Sequence, residues 1–225
     1  SASPRRLEIL RSLGVAPDVR PVDLDETPLP LETPEGLVVR LALAKVDRAA
    51  ERLSRSAPVE DGGSSPSSAS RERVSLTGST LPITCSPPLL LGADTAVVLE
   101  GEIFGKPSSA SEAAHMLSRL SGRTHTVMTG LALLEFGSGR IESGVSVTSV
   151  TFATLSEEQI SAYVATGEPI DKAGAYGIQA GAGRFVERVE GSFTNVVGLP
   201  VELFRELLAR FGLAFSDLEP TDSGT

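Results

Sequence analysis

The sequence has 225 residues and a mass of 23.4 kDa, which suits a single globular unit, since domains typically have about 100 to 200 residues. Hydrophobic residues make up 40% and charged residues 22%, a balance that excludes a disordered or fibrous chain. The formal net charge of -9 at pH 7 repels polyanions, so we expect no nucleic-acid polymer as a partner.

The N-terminal part of the sequence predicts two helices. Ser3 and Pro4 are typical of a helix start, and Gly14 is typical of a helix end. The pair Thr33-Pro34 repeats the start signal and opens a longer helix that runs to about residue 53.

Residues 57–88 differ in composition from the rest of the chain. More than half of them are Ser, Thr, Pro or Gly, and few large apolar groups are present to offset the entropy of ordering. The segment is either a linker between two domains or a low-complexity insertion. We favour an insertion within a single domain spanning residues 1–225, because the flanking segments read as one alternating α/β pattern.

The second half of the sequence predicts strands alternating with helices. An apolar strand begins at Leu89, and the following residues predict a hairpin that turns at Glu100-Gly101. Cap signals and apolar spacing predict helices at residues 109–122, 156–167 and 200–211. Strands are predicted at residues 124–135 and 141–154 and, after a glycine-rich stretch at 174–183, up to residue 189. This order is typical of an α/β fold.

Arg5 and Arg6 lie in the first turn of the first predicted helix, where the helix dipole already supplies partial positive charge. A bound anion would make this arrangement favourable, because free backbone N–H groups and two guanidinium groups then converge on a phosphate or carboxylate. The alternative is that one arginine extends into solvent or pairs with Glu8.

Lys45 follows Leu37 and Leu41 at four-residue spacing, which places its stem on the apolar side of the second helix. Its ammonium group therefore needs a partner or a cleft. The alternative is a lysine whose end extends into solvent. A second basic position on a neighbouring helix makes a phosphate-binding cleft more plausible.

Three further charged residues are candidates for a metal or phosphate site. Asp94 is expected just beyond the end of an apolar strand, where ligands of open α/β sheets collect, so it is a candidate metal ligand or general base. The alternative is an Asp that accepts backbone N–H bonds in a turn. Lys106 follows the next hairpin and is expected near the same strand end, in either a salt bridge or a metal and phosphate site. Glu26 is a second candidate carboxylate, although acidic pairs such as Asp25-Glu26 are usually solvated.

Gln179 lies in the glycine-rich stretch, downstream of Asp171-Lys172. Its amide group can both donate and accept hydrogen bonds, so it is a candidate for reading the edge of a nucleobase. Alternatively, the surrounding glycines only permit close backbone packing.

Several common motifs are absent from the sequence. It contains no phosphate-binding loop of the G-x-x-x-x-G-K-[ST] type, no dinucleotide fingerprint and no serine nucleophile elbow. Cys85 lacks the spaced partners of a zinc site, and we expect His115 and His125 to bind no metal. No run approaches the roughly 20 apolar residues of a membrane span. We therefore expect a cytoplasmic protein with no membrane partner.

A series of short motifs occurs in a fixed order along the chain. They are SASPRR at 1–6, RLA at 40–42 with Lys45, GADT at 92–95, GKP at 105–107, LSG at 120–122, DKAGAYGIQ at 171–179 and VVGLP at 196–200. Together they resemble the Maf family of nucleoside triphosphate pyrophosphatases. The resemblance implies a two-lobed Maf/ITPase-like α/β fold, with a long central mixed sheet flanked by helices and a cleft between the lobes. It also implies a homodimer and a nucleoside triphosphate substrate, hydrolysed to the monophosphate and pyrophosphate.

The resemblance assigns roles to the candidate residues. The residues that would grip the triphosphate are Ser1, Arg5, Arg6, Lys45 and Lys106. The residues that would surround a divalent cation, Mg²⁺ or Mn²⁺, and the attacking water are Glu26, Asp94 and Thr95. Asp94 would be the general base and, with Glu26, a metal ligand. This division fits phosphoryl chemistry, which depends on positioning and on cations that neutralise charge on the phosphate oxygens.

Within the family, Pro4-Arg5-Arg6 and Gly177-Ile178-Gln179 resemble the branch that acts on dTTP and UTP. Gln179, with Lys45 or Arg6, would then help to select the pyrimidine. One alternative substrate is 7-methyl-GTP or another modified nucleotide. The alternative function of another class is a nonenzymatic, nucleotide-binding regulator of septum formation.

Overall fold

The computed structural model describes residues 3–56 and 88–218. The first elements are α1 (Pro4–Ser12), α2 (Pro34–Ser56), β1 (Leu89–Leu99), β2 (Glu102–Phe104), α3 (Ala110–Leu120) and β3 (Thr124–Glu135). They are followed by β4 (Ile141–Phe152), α4 (Glu157–Val164), β5 (Val186–Glu190), α5 (Phe193–Val197) and α6 (Val201–Arg210). Ser1, Cys85 and the predicted insertion, apart from Pro88, lie outside the described residues. No helix in the described ranges is long and apolar enough to cross a bilayer.

The strands form one sheet in the order β2-β1-β3-β4-β5. The helices that flank this sheet confirm the predicted fold class. The prediction of a mixed sheet is wrong for the described strands, because every pairing among them is antiparallel. The connections give the physical reason for two of these pairings: β1 joins β2, and β3 joins β4, through short turns, and short turns join only antiparallel neighbours.

The turn between β1 and β2 confirms the predicted hairpin. Both of its central residues have positive φ, 52° at Glu100 and 83° at Gly101, as a type I′ turn requires. β2 is short and pairs only with Val97 to Leu99. Within the described residues, the earlier part of β1 is therefore paired on one side only, with β3, and its other edge is open.

Helix α2 covers one face of the sheet and approaches it unusually closely at two glycines. A Cβ atom added to Gly92 of β1 would lie 2.2 Å from the carbonyl oxygen of Ala42. One added to Gly130 of β3 would lie 2.3 Å from the carbonyl oxygen of Val38. Only glycine permits this contact, so the sequence GADT positions α2 as well as Asp94.

The opposite face of the sheet carries two separate clusters of buried apolar residues. One cluster packs α1 and α6 against the part of the sheet around Leu131 and Leu133. The other packs α3 and α4 against the part around Val97 and Val127. Along β1, Thr95 lies between Ala93 of the first cluster and Val97 of the second.

Candidate active site

Lys45 and two carboxylates form the centre of the site. The Lys45 ammonium donates to Oδ1 of Asp94 at 2.5 Å and to Oε1 of Glu26 at 2.9 Å. The side chains of Lys45 and Asp94 are only 11% and 14% exposed, whereas Glu26 is 44% exposed. Because α2 lies against Gly92, a lysine on its buried side reaches the sheet. The Lys45 ammonium therefore has carboxylate partners at a partly open site, which is the first of the two interpretations offered for this lysine from the sequence.

The expected place of Asp94 at a strand end is wrong. Asp94 lies in the middle of β1 and pairs with Gly130 of β3. The strand continues without a break, because Ala96 to Leu99 extend the same apolar pattern. Among the described strands, the site is built where β1 is paired on one side only, instead of at the carboxyl ends of strands.

The environment of Asp94 raises its pKa above the usual 3.8, because burial disfavours the charged carboxylate. The charge and hydrogen bond of Lys45 oppose this effect only in part. For Glu26, partial burial acts in the same direction, but the hydrogen bond and charge of Lys45, together with the charges of Lys106 and Arg6, lower the pKa below 4.5. The pKa values of the two carboxylates are therefore shifted in opposite directions.

Lys106 and Glu26 approach one another from separate segments. Lys106, which follows β2, has its ammonium 3.8 Å from Oε2 of Glu26, and its side chain is 62% exposed. Glu26 lies in the irregular segment between α1 and α2. The structure thus brings Glu26, Lys45, Asp94 and Lys106 together, as the predicted site requires.

The segment that carries Glu26 is fixed by an ion pair for which the sequence predicted no role. Nε and Nη2 of Arg40 donate to the two carboxylate oxygens of Glu32, at 2.6 and 2.9 Å. Nη2 of Arg40 also donates to the carbonyl oxygen of Thr27, and Glu32 accepts from the N–H of Leu29. These bonds attach the backbone on the C-terminal side of Glu26 to α2. Arg40 belongs to the quoted motif, but nothing in its spacing identifies Glu32 as its partner.

Arg6 makes its contacts with the backbone around the site. It donates to the carbonyl oxygens of Gly198 at 2.6 Å and Ala93 at 3.0 Å, and to the Thr95 hydroxyl at 2.8 Å. Burial lowers the pKa of Arg6, and the nearby Asp94 charge opposes that shift. The guanidinium group therefore fixes the strand on both sides of Asp94.

The Thr95 side chain lies on the opposite face of the sheet from Asp94. Its hydroxyl contacts Arg6 and lies 2.9 Å from the Thr129 hydroxyl, on the face opposite to α2. Successive side chains of a strand point to opposite faces, so adjacent residues cannot both face Lys45. The Thr95 hydroxyl therefore lies beside Arg6 and not beside the two carboxylates. Asn195 contributes to the same support through its backbone carbonyl oxygen, which accepts from the Thr129 hydroxyl, and no local sequence signal indicates this contact.

Arg5 and Gln179 lie at the glycine-rich segment. A Cβ atom added to Gly177 would lie 3.1 Å from Nη1 of Arg5, so the guanidinium group passes directly beside this glycine. Gln179 is exposed, two residues farther along the chain. The N–H of Gly174 donates to the carbonyl oxygen of Gly105 at 3.0 Å, which attaches the glycine-rich segment to the residue before Lys106. The motifs GKP and DKAGAYGIQ are therefore neighbours in space.

The two histidines of the chain lie in different environments. His115 is exposed on α3, whereas His125 is buried with its Nε2 2.7 Å from the Tyr176 hydroxyl. Burial lowers the pKa of His125 to about 4, so it is neutral at pH 7. No group of three or more His, Cys, Asp or Glu side chains suited to a metal occurs within residues 3–56 and 88–218.

Comparison with known proteins agrees with the order of motifs. A family model described as Maf-like protein matches residues 1–211. The dTTP/UTP pyrophosphatase of Moorella thermoacetica (strain ATCC 39073 / JCM 9320) is 43% identical over 213 residues, which cover 95% of this chain and 93% of the relative. The dTTP/UTP pyrophosphatase of Escherichia coli O157:H7 is 43% identical over 211 residues, covering 94% and 90%. That of Geobacter metallireducens (strain ATCC 53774 / DSM 7210 / GS-15) is 44% identical over 201 residues, covering 89% and 88%.

The relatives match most of the chain, and the family model spans every motif on which the resemblance rests. The predicted family is therefore confirmed, and the chain belongs to the Maf-like protein family.

Proposed function

We propose that this protein hydrolyses dTTP and UTP to the nucleoside monophosphate and pyrophosphate. The observation that carries the proposal is the contact of Lys45 with both Asp94 and Glu26, beside Lys106. A buried carboxylate of raised pKa next to several cations is suited to activating water beside a polyphosphate. The name shared by the three relatives supports the choice of dTTP and UTP.

The cations bind and orient the triphosphate. Lys45 and Lys106 neutralise charge on phosphate oxygens, and Arg5 offers a planar pair of N–H donors. Ser1 belongs to the same set by its motif. Arg6 holds the backbone at Ala93 and Gly198, so it keeps the Asp94 strand in place as the substrate binds.

Asp94 acts as the general base. It accepts a proton from a water whose oxygen attacks the α-phosphorus, and the bond from that phosphorus to the bridging oxygen of pyrophosphate breaks. The electron pair of the broken bond leaves with pyrophosphate, whose added charge Lys45 and Lys106 stabilise. Because burial raises its pKa, Asp94 is a better proton acceptor than an exposed aspartate, which is what this step needs.

The donor set fits a divalent cation of the hard class. Asp94 and Glu26 direct carboxylate oxygens at one shared cation, the Lys45 ammonium, so their charges already converge. Mg²⁺ commonly binds through one or two carboxylates together with substrate phosphates and water, so a third protein ligand is unnecessary. Asp94 and Glu26 would hold Mg²⁺ or Mn²⁺, which when bound supplies Lewis acidity toward the phosphate oxygens and the attacking water.

A panel of nucleotides tests the proposal. The purified protein is incubated with dTTP, UTP, CTP, GTP and 7-methyl-GTP in the presence of Mg²⁺, and the release of pyrophosphate is measured. We expect the highest kcat/KM for dTTP and UTP. A preference for 7-methyl-GTP would assign the protein to the alternative substrate class. Nucleotide binding without pyrophosphate release from any member of the panel would instead support the nonenzymatic regulator.

A further inference from the structure

The residues around Gln179 form a tight turn. The N–H of Ala180 donates to the carbonyl oxygen of Gly177 at 3.2 Å, which makes Gln179 the third residue of a four-residue turn. Gln179 itself is exposed, so its own contacts with the fold do not fix its direction. The position of its amide group therefore depends on how the turn is held.

Two side chains outside the turn hold it at both ends. The N–H of Gly177 donates to the Tyr163 hydroxyl oxygen at 3.2 Å, and the Tyr163 hydroxyl donates to Oε1 of Glu168 at 2.8 Å. The other carboxylate oxygen of Glu168 accepts from the N–H of Gly181 at 3.1 Å. One continuous chain of hydrogen bonds thus connects the residues that lie two positions before and two positions after Gln179.

Tyr163 is a rigid base for this chain of hydrogen bonds. Its side chain is fully buried, and its ring packs edge-on against Phe185 at a centroid distance of 5.3 Å. Burial, together with the hydrogen bond to Glu168, raises the pKa of the Tyr163 hydroxyl, so it remains protonated and can donate at neutral pH. The backbone of Gly177 is therefore anchored to the protein core.

The anchored turn also lies beside Arg5, one of the residues proposed to bind the triphosphate. Gly177 lies directly beside the Arg5 guanidinium group, so the bond from Gly177 to Tyr163 holds the turn that carries Gln179 next to Arg5. A nucleotide that is held by its phosphates presents its base at a set distance from them. When this spacing is fixed, a base of one size and one pattern of hydrogen-bonding groups fits better than others. A base of another shape places its polar groups where they lose their hydrogen bonds.

We propose that Tyr163 and Glu168 are positioning residues that determine nucleobase selectivity by holding the Gly177–Gly181 turn, an inference that rests on the proposed function. Neither side chain needs to touch the substrate. They act through Gln179, which accepts and donates to the edge of the pyrimidine. The inference adds two specificity-determining residues that the motif pattern does not assign.

The test replaces single polar atoms. Tyr163→Phe removes the hydroxyl and keeps the ring, while Glu168→Gln leaves an amide that cannot accept bonds at both ends. For each variant, kcat and KM are measured with UTP and CTP, and the dissociation constant of UTP is measured without divalent cation. We expect the KM and the dissociation constant for UTP to rise about tenfold, since a buried N–H loses its partner. We expect kcat to change by less than about twofold and the preference for UTP over CTP to fall.

The second tyrosine of the chain provides a matched control. Tyr176 is buried in the same part of the fold, but its hydroxyl contacts His125 instead of the turn. Tyr176→Phe therefore tests the loss of a buried hydroxyl without loss of the anchor, and we expect its preference for UTP to match that of the wild type.

The failure of the inference differs from that of the proposed function. Wild-type protein that hydrolyses no pyrimidine triphosphate contradicts the proposed function, and the UTP dissociation constants still report on the turn. An active wild type whose selectivity is unchanged in both Tyr163→Phe and Glu168→Gln overturns the inference. Equal loss of selectivity in Tyr176→Phe also overturns it, because the effect would then be one of general stability.

Discussion

Asp94 and Thr95 are neighbours in β1, yet their side chains lie on opposite faces of the sheet. Asp94 meets Lys45 of α2 on one face, and Thr95 meets Arg6 of α1 on the other. Two consecutive residues of one motif therefore connect two helices to the same strand. The face with Asp94 and Lys45 carries the proposed catalytic groups, and on the other face Thr95 and Arg6 help to hold β1 in place.

This division predicts a selective effect of Asp94→Asn. Asparagine keeps an oxygen that accepts from Lys45 but cannot take a proton from water, so kcat should fall by about 10² to 10⁴. Nucleotide binding, measured by calorimetry, should change little. Asp47→Asn is the control, because Asp47 is exposed on the same helix as Lys45. A kcat near that of the wild type in Asp94→Asn would remove Asp94 from the role of base.

The raised pKa of Asp94 predicts the shape of the pH profile. The base must be ionised, so kcat/KM should rise with pH through a value above 3.8. The charge of Lys45 keeps that pKa from rising further, so the acidic limb of Lys45→Gln should lie at higher pH than that of the wild type. A limb that is unchanged or displaced to lower pH would contradict the assignment.

The raised pKa of Asp94 also affects the stability of the fold, which should fall with rising pH where kcat/KM should rise. A carboxyl group whose pKa is higher in the folded state binds more protons there than in the unfolded chain, so stability should fall as pH rises from 3.8 through the raised value. Urea unfolding at a series of pH values measures this effect. The dependence should be weaker in Asp94→Asn, and an equal slope in both proteins would show that other groups cause it.

Gly92→Ala should separate α2 from the sheet. The new methyl group would lie 2.2 Å from the carbonyl oxygen of Ala42, and backbone cannot move aside as a flexible side chain can. We expect a loss of about 1 to 3 kcal/mol in unfolding free energy, together with lower kcat/KM, because α2 carries Lys45. Gly105→Ala is the control for stability, since its Cβ would meet no atom within 4 Å. Unchanged stability in Gly92→Ala would contradict the close contact.

The ion pair of Arg40 with Glu32 predicts a positioning effect on Glu26. Arg40→Lys keeps the charge but loses the paired geometry, so the segment carrying Glu26 should loosen and kcat should fall about threefold to tenfold. Arg48→Lys is the matched control, because Arg48 forms an exposed ion pair with Glu51 on the same helix. In a Glu26→Gln background, Arg40→Lys should have little further effect on kcat. Additive losses would show that Arg40 acts independently of Glu26.

The sequence predicted most of the secondary structure, because its signals are local. Glu100-Gly101 fixed the hairpin, and Ser156 with Gln159 forms the capping box that opens α4. It also placed Glu26, Lys45, Asp94 and Lys106 in one site through resemblance. It missed α5 and the partners of Arg40 and Tyr163, since these depend on contacts between segments distant along the chain.

By itself the sequence determined the family, the order of helices and strands, and the identity of the charged residues that gather at one place. Only the tertiary structure decided that Asp94 lies in mid-strand, where the described part of the chain pairs β1 on one side only, that Thr95 faces away from it, and that Arg6 supports the strand. The reason is physical. Strand length, sheet direction and the face that each side chain occupies follow from pairing and from the close approach of α2 at Gly92 and Gly130, and no local pattern records that approach.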